Sequence, residues 1–181
     1  MKIAAVLFTV VLAAIPASAQ KLDLKFDALA AKASDKAEVD LEGSTLQTLL
    51  QLAAKSGKDS KELKGLPELL GGIQEVHVRH YEFEKPGGWS DQDLEGLRKQ
   101  VNGAAGWTRV ASVKEKDEAT EVYVLTQSGK LGGALIMTGE AKEFTVVHVL
   151  GVFTLAQMKE LVDSKIAYNL GNVDLLGAMA K

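Results

Sequence analysis

The chain has no cysteine and only three prolines. Without cysteine it can form no disulfide, no thiolate nucleophile and no cysteine-based metal site. The folded state must therefore depend on its hydrophobic core alone. A domain of about 150 residues buries about 70 % of the surface that its unfolded chain exposes. The 181 residues present are enough for such a core.

An excess of charge of either sign is also missing. The 21 lysine and arginine residues nearly balance the 24 aspartate and glutamate residues, which leaves a net charge of −3. The charges are interspersed, and no stripe of basic residues alternates with aromatic ones. Proteins that bind nucleic acid concentrate positive charge on one face. The sequence thus argues against nucleic acid, and equally against an anionic membrane surface, as a partner.

Long hydrophobic runs are confined to the N-terminus. Lys2 precedes an apolar run over residues 3–15, and residues 17–19 have the small–x–small pattern that signal peptidase accepts. The run is shorter than the roughly 20 residues that cross a membrane. We therefore expect a signal peptide over 1–19, cleaved after Ala19. The mature protein would be periplasmic or secreted, with no integral membrane span and no cysteine to carry a lipid anchor.

Hydrophobic periodicity predicts the elements of the mature chain. Helices are expected at 24–34, 44–57, 90–103 and 154–163, with one helical turn at 66–72. Strands are expected around 39–41 and at 73–84, 107–115, 119–127, 130–139 and 143–150. Only one strand–helix–strand crossover precedes a four-strand meander. This order predicts a two-layer α+β fold with a mostly antiparallel sheet and helices mainly on one face. The expected domain spans 20–165, followed by a C-terminal tail at 166–181.

Several predicted strands are apolar on both faces. Val122 and Val124 point to one side, while Tyr123 and Leu125 point to the other, and 134–137 and 146–150 follow the same pattern. A sheet with one solvated face alternates apolar and polar residues instead. The second face is therefore expected to be covered. The cover could be the N-terminal helices or the tail, or else a dimer partner, another protein or an apolar ligand.

The residues that usually carry chemistry are few. His77 and His80 stand three apart on a strand, so they point to opposite faces and cannot share a metal ion. His148 lies in an apolar run and is expected in the core with one ring hydrogen bond. Spacings such as HExxH, CxxC and GxSxG, and that of a phosphate-binding loop, do not occur. The sequence thus predicts no catalytic residue, no cofactor and no metal site.

Candidate interaction residues come from the large side chains. Trp89 follows a glycine-containing loop, where it can serve as an exposed recognition anchor or pack at the start of the next helix. His80 is expected at the rim of the sheet. The complete set of candidate interaction residues is Trp89, His80, Tyr123, Leu125 and Met137.

One family is similar in pattern. The stretches LKGLPELLGGIQEVHVRHYEF and GWTRVASVKEKDEATEVYVL, continued to the segment VLGVFTLAQMKEL, resemble the bacterial domain of unknown function 4252. Trp107, Gly151 and the helix at 154–163 occupy places typical of that family. The resemblance implies an envelope protein that carries a signal peptide. It implies no activity and no catalytic residues.

These observations favour an exported envelope protein that is not an enzyme. It would bind an unidentified envelope protein, or a second copy of itself, through its sheet. The alternatives are a carrier of a small apolar ligand held between sheet and helices, and an enzyme with an unrecognised site.

Overall fold

The computed structural model describes residues 21–56, 72–115, 118–127, 129–154 and 156–157. Its helices are α1 (Asp27–Ala30), α2 (Gly43–Ser56) and α3 (Asp91–Gly103). Its strands are β1 (Asp35–Glu42), β2 (Ile73–Glu82), β3 (Trp107–Lys114), β4 (Ala119–Gln127), β5 (Lys130–Gly139) and β6 (Glu143–Phe153).

The six strands form one antiparallel sheet in the order β1-β2-β6-β5-β4-β3. Strands β3 to β6 make the predicted meander, and β2 pairs with the free side of β6. Helix α3 therefore carries the chain from β2 back to the far edge, where β3 begins. The predicted α+β class with a mostly antiparallel sheet is confirmed.

The two faces of the sheet bury separate cores. On face A, strand residues including Tyr123 and Leu135 pack with the N-terminal segment, α1 and α3. On face B, strand residues including Val78 and Val147 pack with Leu46 of α2. The predicted opposite orientation of neighbouring apolar residues is confirmed, because one set enters the core on face A and the other packs on face B, where Val122 and Ile136 are half-buried. The chain itself thus contributes the cover on both sides.

Some element bounds differ from the expectation. The helix predicted at 24–34 is a single turn over Asp27–Ala30, and Leu22 and Leu24 are buried in the non-helical segment that precedes it. Strand β6 continues past 150 through Gly151, whose φ of 146° is a conformation that glycine adopts readily. The helix at 154–163, the turn at 66–72 and the tail lie mostly outside the described residues.

A buried ion pair fixes α3 on the sheet. The carboxylate of Glu121 on β4 accepts hydrogen bonds from Arg98 of α3, at 3.0 Å from Nε and 2.5 Å from Nη2. The Tyr123 hydroxyl donates to the same carboxylate over 2.9 Å. Glu121 is only 5 % exposed, so these donors replace the water that the charge has lost.

Trp89 attaches the loop before α3 to the sheet. Its indole ring lies against Phe144, with ring centroids 6.0 Å apart, and its N–H donates to the carbonyl of Glu140. Gly139 makes this contact possible, because a Cβ there would lie 2.2 Å from the Trp89 ring. The tryptophan thus joins the loop to the β5–β6 hairpin.

We predict that Gly139→Ala lowers the free energy of unfolding by about 1–3 kcal/mol, because the added methyl group must displace the indole. Urea denaturation followed by tryptophan fluorescence measures the change. The matched control is Gly96→Ala in α3, where a Cβ meets no described atom within 4 Å. The control is expected to add about 0.5–1 kcal/mol of stability through helix propensity. Equal effects of the two substitutions would contradict this account.

Candidate functional site

Two histidines meet on face A in the middle of the sheet. The β2–β6 register places His77 directly opposite His148, and their rings stack with centroids 5.7 Å apart and planes 19° apart. Trp107 at the start of β3 approaches the His148 ring to 5.9 Å between centroids. The β2–β6 pair thus brings the two histidines together, and Trp107 reaches His148 from β3 at the edge of the sheet.

His148 is buried, and no described residue forms a hydrogen bond with it. Its exposed fraction is 0 %, and neither ring nitrogen has a partner within the part of the chain that the structure describes. The expectation of one ring hydrogen bond is therefore wrong. Burial lowers the pKa of His148 to about 3, with further lowering by the charges of His77 and Lys21. The imidazole is thus neutral at physiological pH.

His77 is surrounded by carboxylates from two strands. Its Nδ1 lies 2.7 Å from Asp40 Oδ1. Its Nε2 lies 3.2 Å from Glu75 Oε2 and 3.7 Å from Glu42 Oε1. The β1–β2 register explains this arrangement, because it pairs Asp40 with His77 and Glu42 with Glu75. We call Asp40, Glu42, Glu75 and His77 the histidine–carboxylate cluster.

Two cations border this cluster. Lys21 Nζ lies 2.9 Å from Glu42, and its hydrogen bond and charge hold the pKa of the Glu42 carboxyl below its ordinary value. Arg79 Nη2 lies 2.9 Å from Asp40. Burial raises the pKa of Asp40, but the hydrogen bonds from His77 and Arg79 outweigh it and hold that pKa below its ordinary value. Asp40 and Glu42 are therefore ionised at neutral pH.

A cleft of about 240 Å³ lies beside Trp89, at another end of the sheet. Its lining includes Asp91, Lys114, Glu118 and Glu140. Apolar side chains such as those of Pro86, Trp89 and Ala119 also line the cleft. Both polar and apolar groups of a ligand can therefore contact its walls.

The β3 edge is the third candidate surface. Apart from Trp107, every residue of β3 is exposed, and Val110 and Val113 are 53 % and 56 % exposed. Within the described ranges, β3 pairs only with β4, so one side of its backbone is open. The pairing shifts register between Arg109 and Ala111, which marks a bulge.

The structure distributes the sequence-derived candidate residues among different places. Tyr123, Leu125 and Met137 are 2 %, 1 % and 0 % exposed, so their side chains belong to the interior and not to a surface. His80 is also buried, on face B, where its Nδ1 lies 2.9 Å from Thr145 Oγ1. Trp89 alone of the five keeps a half-buried side chain at the surface.

The carboxylates around His77 were missed by the sequence analysis. Asp40 and Glu42 on β1, and Glu75 with His77 on β2, each stand two residues apart and so share a face. This two-residue spacing could have indicated that the side chains share a face. It could not show that the two pairs meet, because the local sequence does not reveal that β1 and β2 pair or in which register.

The fold and these surfaces define a small antiparallel α+β domain whose described helices include none long and apolar enough to cross a membrane. A model of the family described as "Domain of unknown function (DUF4252)" matches residues 32–161, and the chain belongs to this family. The resemblance expected from the sequence is thus confirmed. Comparison with curated proteins and with solved structures found no match.

We predict that His148→Leu raises the free energy of unfolding by about 1 kcal/mol at pH 7. The substitution replaces two buried nitrogens, which have no partner among the described residues, by an apolar side chain of similar size. Urea denaturation measures the change. His80→Leu is the matched control, because the His80 ring is hydrogen-bonded and its loss should cost about 1–3 kcal/mol. A clear destabilisation by His148→Leu would show that the imidazole makes a stabilising contact.

Proposed function

We propose that this protein is an exported, non-catalytic binding module of the bacterial envelope that adds an extended segment of a partner protein to its β3 edge. The observation that carries the proposal is the open backbone of β3, bordered by the exposed side chains of Val110 and Val113. Extended segments bind such edges through main-chain hydrogen bonds and gain specificity from alternate side chains.

The two edges of the sheet differ in a way that favours β3. Strand β1 has the sequence DKAEVDLE, with four carboxylates and one lysine, and charged residues on an edge discourage further pairing. Strand β3 has the sequence WTRVASVK, with exposed apolar residues and little charge. An exposed apolar edge of the latter kind pairs readily with a strand of another chain. The β3 edge is therefore the better docking surface.

The chemistry of β3 also indicates the kind of partner. Arg109 and Lys114 are its only charged residues, and both are positive. An extended segment with carboxylates near its ends would match them, and a β-branched residue between these would contact Val113. The bulge at Arg109 and Ala111 bends the first half of the strand. Contact with the partner segment is thus expected mainly from Val110 onward, along residues 110–114.

Export is supported by residues 1–19, where a basic start, an apolar run and a small–x–small end follow one another. We predict that the protein purified from its own host lacks these residues and begins at Gln20. Intact mass spectrometry and N-terminal peptide mapping measure this directly. A protein that retains Met1 or the apolar run would contradict export with cleavage.

We predict that a photoreactive benzoylphenylalanine at position 113 forms one discrete adduct with a partner in the native envelope. The adduct should map to an extended, acidic segment, and the second substitution Val110→Asp should abolish it by repelling that segment. The matched control places the same label at Val152 of β6, which is also 56 % exposed and lies on another strand. Circular dichroism checks that each variant is folded.

Three outcomes would contradict this function. The first is equal labelling from positions 113 and 152, which would mean that contact is nonspecific. The second is an adduct formed only with another copy of the chain, which would show self-association in place of a partner. The third is an adduct that survives Val110→Asp, because edge pairing with an acidic segment cannot tolerate that charge.

A further inference from the structure

We propose that Glu42, Glu75 and His77 form a binding site for a divalent transition-metal ion of the zinc class. The site lies at the β1–β2 side of face A, away from the β3 edge, and the inference does not depend on the proposed docking function. It concerns the donor atoms Glu42 Oε1, Glu75 Oε2 and His77 Nε2, each contributed by a different side chain.

The spacing of these atoms suits one ion. All three donor atoms lie within 4.8 Å of one another. His77 Nε2 is 3.2 Å from the Glu75 oxygen and 3.7 Å from the Glu42 oxygen. Two ligand atoms in a tetrahedral zinc site, with bonds of about 2.0–2.2 Å, stand about 3.4 Å apart. The observed distances bracket that value without any movement of the backbone.

In either neutral tautomer of His77, one ring nitrogen turns its lone pair toward a carboxylate. A neutral imidazole has one N–H donor and one lone pair. If the proton is on Nδ1 and donates to Asp40, the Nε2 lone pair faces the carboxylates of Glu42 and Glu75. If the proton is on Nε2, the Nδ1 lone pair faces Asp40 at 2.7 Å instead. Either a second proton or a bound cation at Nε2 resolves this repulsion.

Asp40 supplies the orienting contact that metal-binding histidines usually have. A carboxylate that accepts the N–H of one ring nitrogen fixes the tautomer and points the other nitrogen at the metal. Asp40 is itself held by Arg79, with Nη2 at 2.9 Å from Oδ1 and 3.1 Å from Oδ2. This chain of contacts would keep the Nε2 lone pair of His77 directed toward Glu42 and Glu75.

His148 gives an independent observation at the same place. It is fully buried, it stacks on His77, and among the described residues neither of its ring nitrogens has a partner. Leaving a buried polar group without a hydrogen bond costs free energy, and such groups in native proteins call for an explanation. Its ring stacks on that of His77, so the unexplained imidazole lies directly behind one ligand of the proposed site.

The donor set also indicates the class of ion. Imidazole together with carboxylate suits zinc and similar transition metals, whereas calcium and magnesium take oxygen ligands. Glu42 is exposed and Glu75 is half-buried, so an ion can enter from solvent. Lys21 forms a hydrogen bond with Glu42, but its side chain is 61 % exposed and can move aside. The ion would replace the lysine as the neighbour of that carboxylate.

The test is isothermal titration of the untagged mature protein with zinc chloride after dialysis against EDTA. We expect one ion per chain and a higher melting temperature in its presence.

Substitution of each proposed ligand should weaken binding at least tenfold, in the variants Glu42→Gln, Glu75→Gln and His77→Gln. Asp40→Asn should weaken binding about 10–100-fold. Lys21→Ala should tighten binding, because it removes a competing cation. Calcium at the same concentration should produce no binding heat.

The matched control is His80→Gln. His80 lies three residues from His77 on the same strand, is similarly buried and also neighbours a glutamate, but it faces the other side of the sheet. Its substitution should leave zinc affinity unchanged. Equal losses in His80→Gln and His77→Gln, or zinc binding that survives both Glu42→Gln and Glu75→Gln, would overturn the site. So would the absence of zinc binding to the wild-type chain. Glu42 is exposed, so Glu42→Gln remains decisive even if His77→Gln fails to fold.

Discussion

The pairing of β6 with both β2 and β5 is the constraint on which the rest of this structure depends. It makes β6 a central strand that is buried on both faces over most of its length. Val146 and Val147 therefore enter different cores although they are neighbours in the chain. A shift of one residue would exchange the faces of every side chain on β6. That shift would also move His148 away from His77. Both cores and the stacking of His148 on His77 therefore depend on the register of β6, whereas the meeting of Glu42, Glu75 and His77 depends on that of β1 and β2.

The same sheet contains two contrasting ways of burying a polar group. Glu121 is charged and buried, but Arg98 and the Tyr123 hydroxyl satisfy its oxygens, and the result is a firm attachment of α3. His148 is neutral and buried, and among the described residues its nitrogens remain unsatisfied. The burial of Glu121 is thus explained by its hydrogen-bond partners. The burial of His148 has no such explanation among the described residues, and this is why we consider it together with the carboxylates that surround His77.

The edges of the sheet divide the surface into two regions of opposite character. Strand β1 presents acidic residues, and two of them, Asp40 and Glu42, lie beside His77 on face A. Strand β3 presents exposed valines between Arg109 and Lys114. A cation at one edge and an acidic segment at the other are the occupants that we propose because their charges are complementary to these edges. The proposed metal site and the proposed docking edge thus follow from the charges on opposite ends of one sheet.

The sequence by itself determined the local elements. Hydrophobic period and turn residues predict the strands from 107 to 139, the helix that ends at Gly103 and the apolar pattern on both faces of the strands. It also determined the family. Only the tertiary structure decided that Tyr123 and Met137 are interior, and that Glu42, Glu75 and His77 meet. The physical reason is that period and propensity act over a few residues, whereas burial and clustering depend on which strands pair and in what register. That register is set by the summed packing of both cores, which no local segment contains.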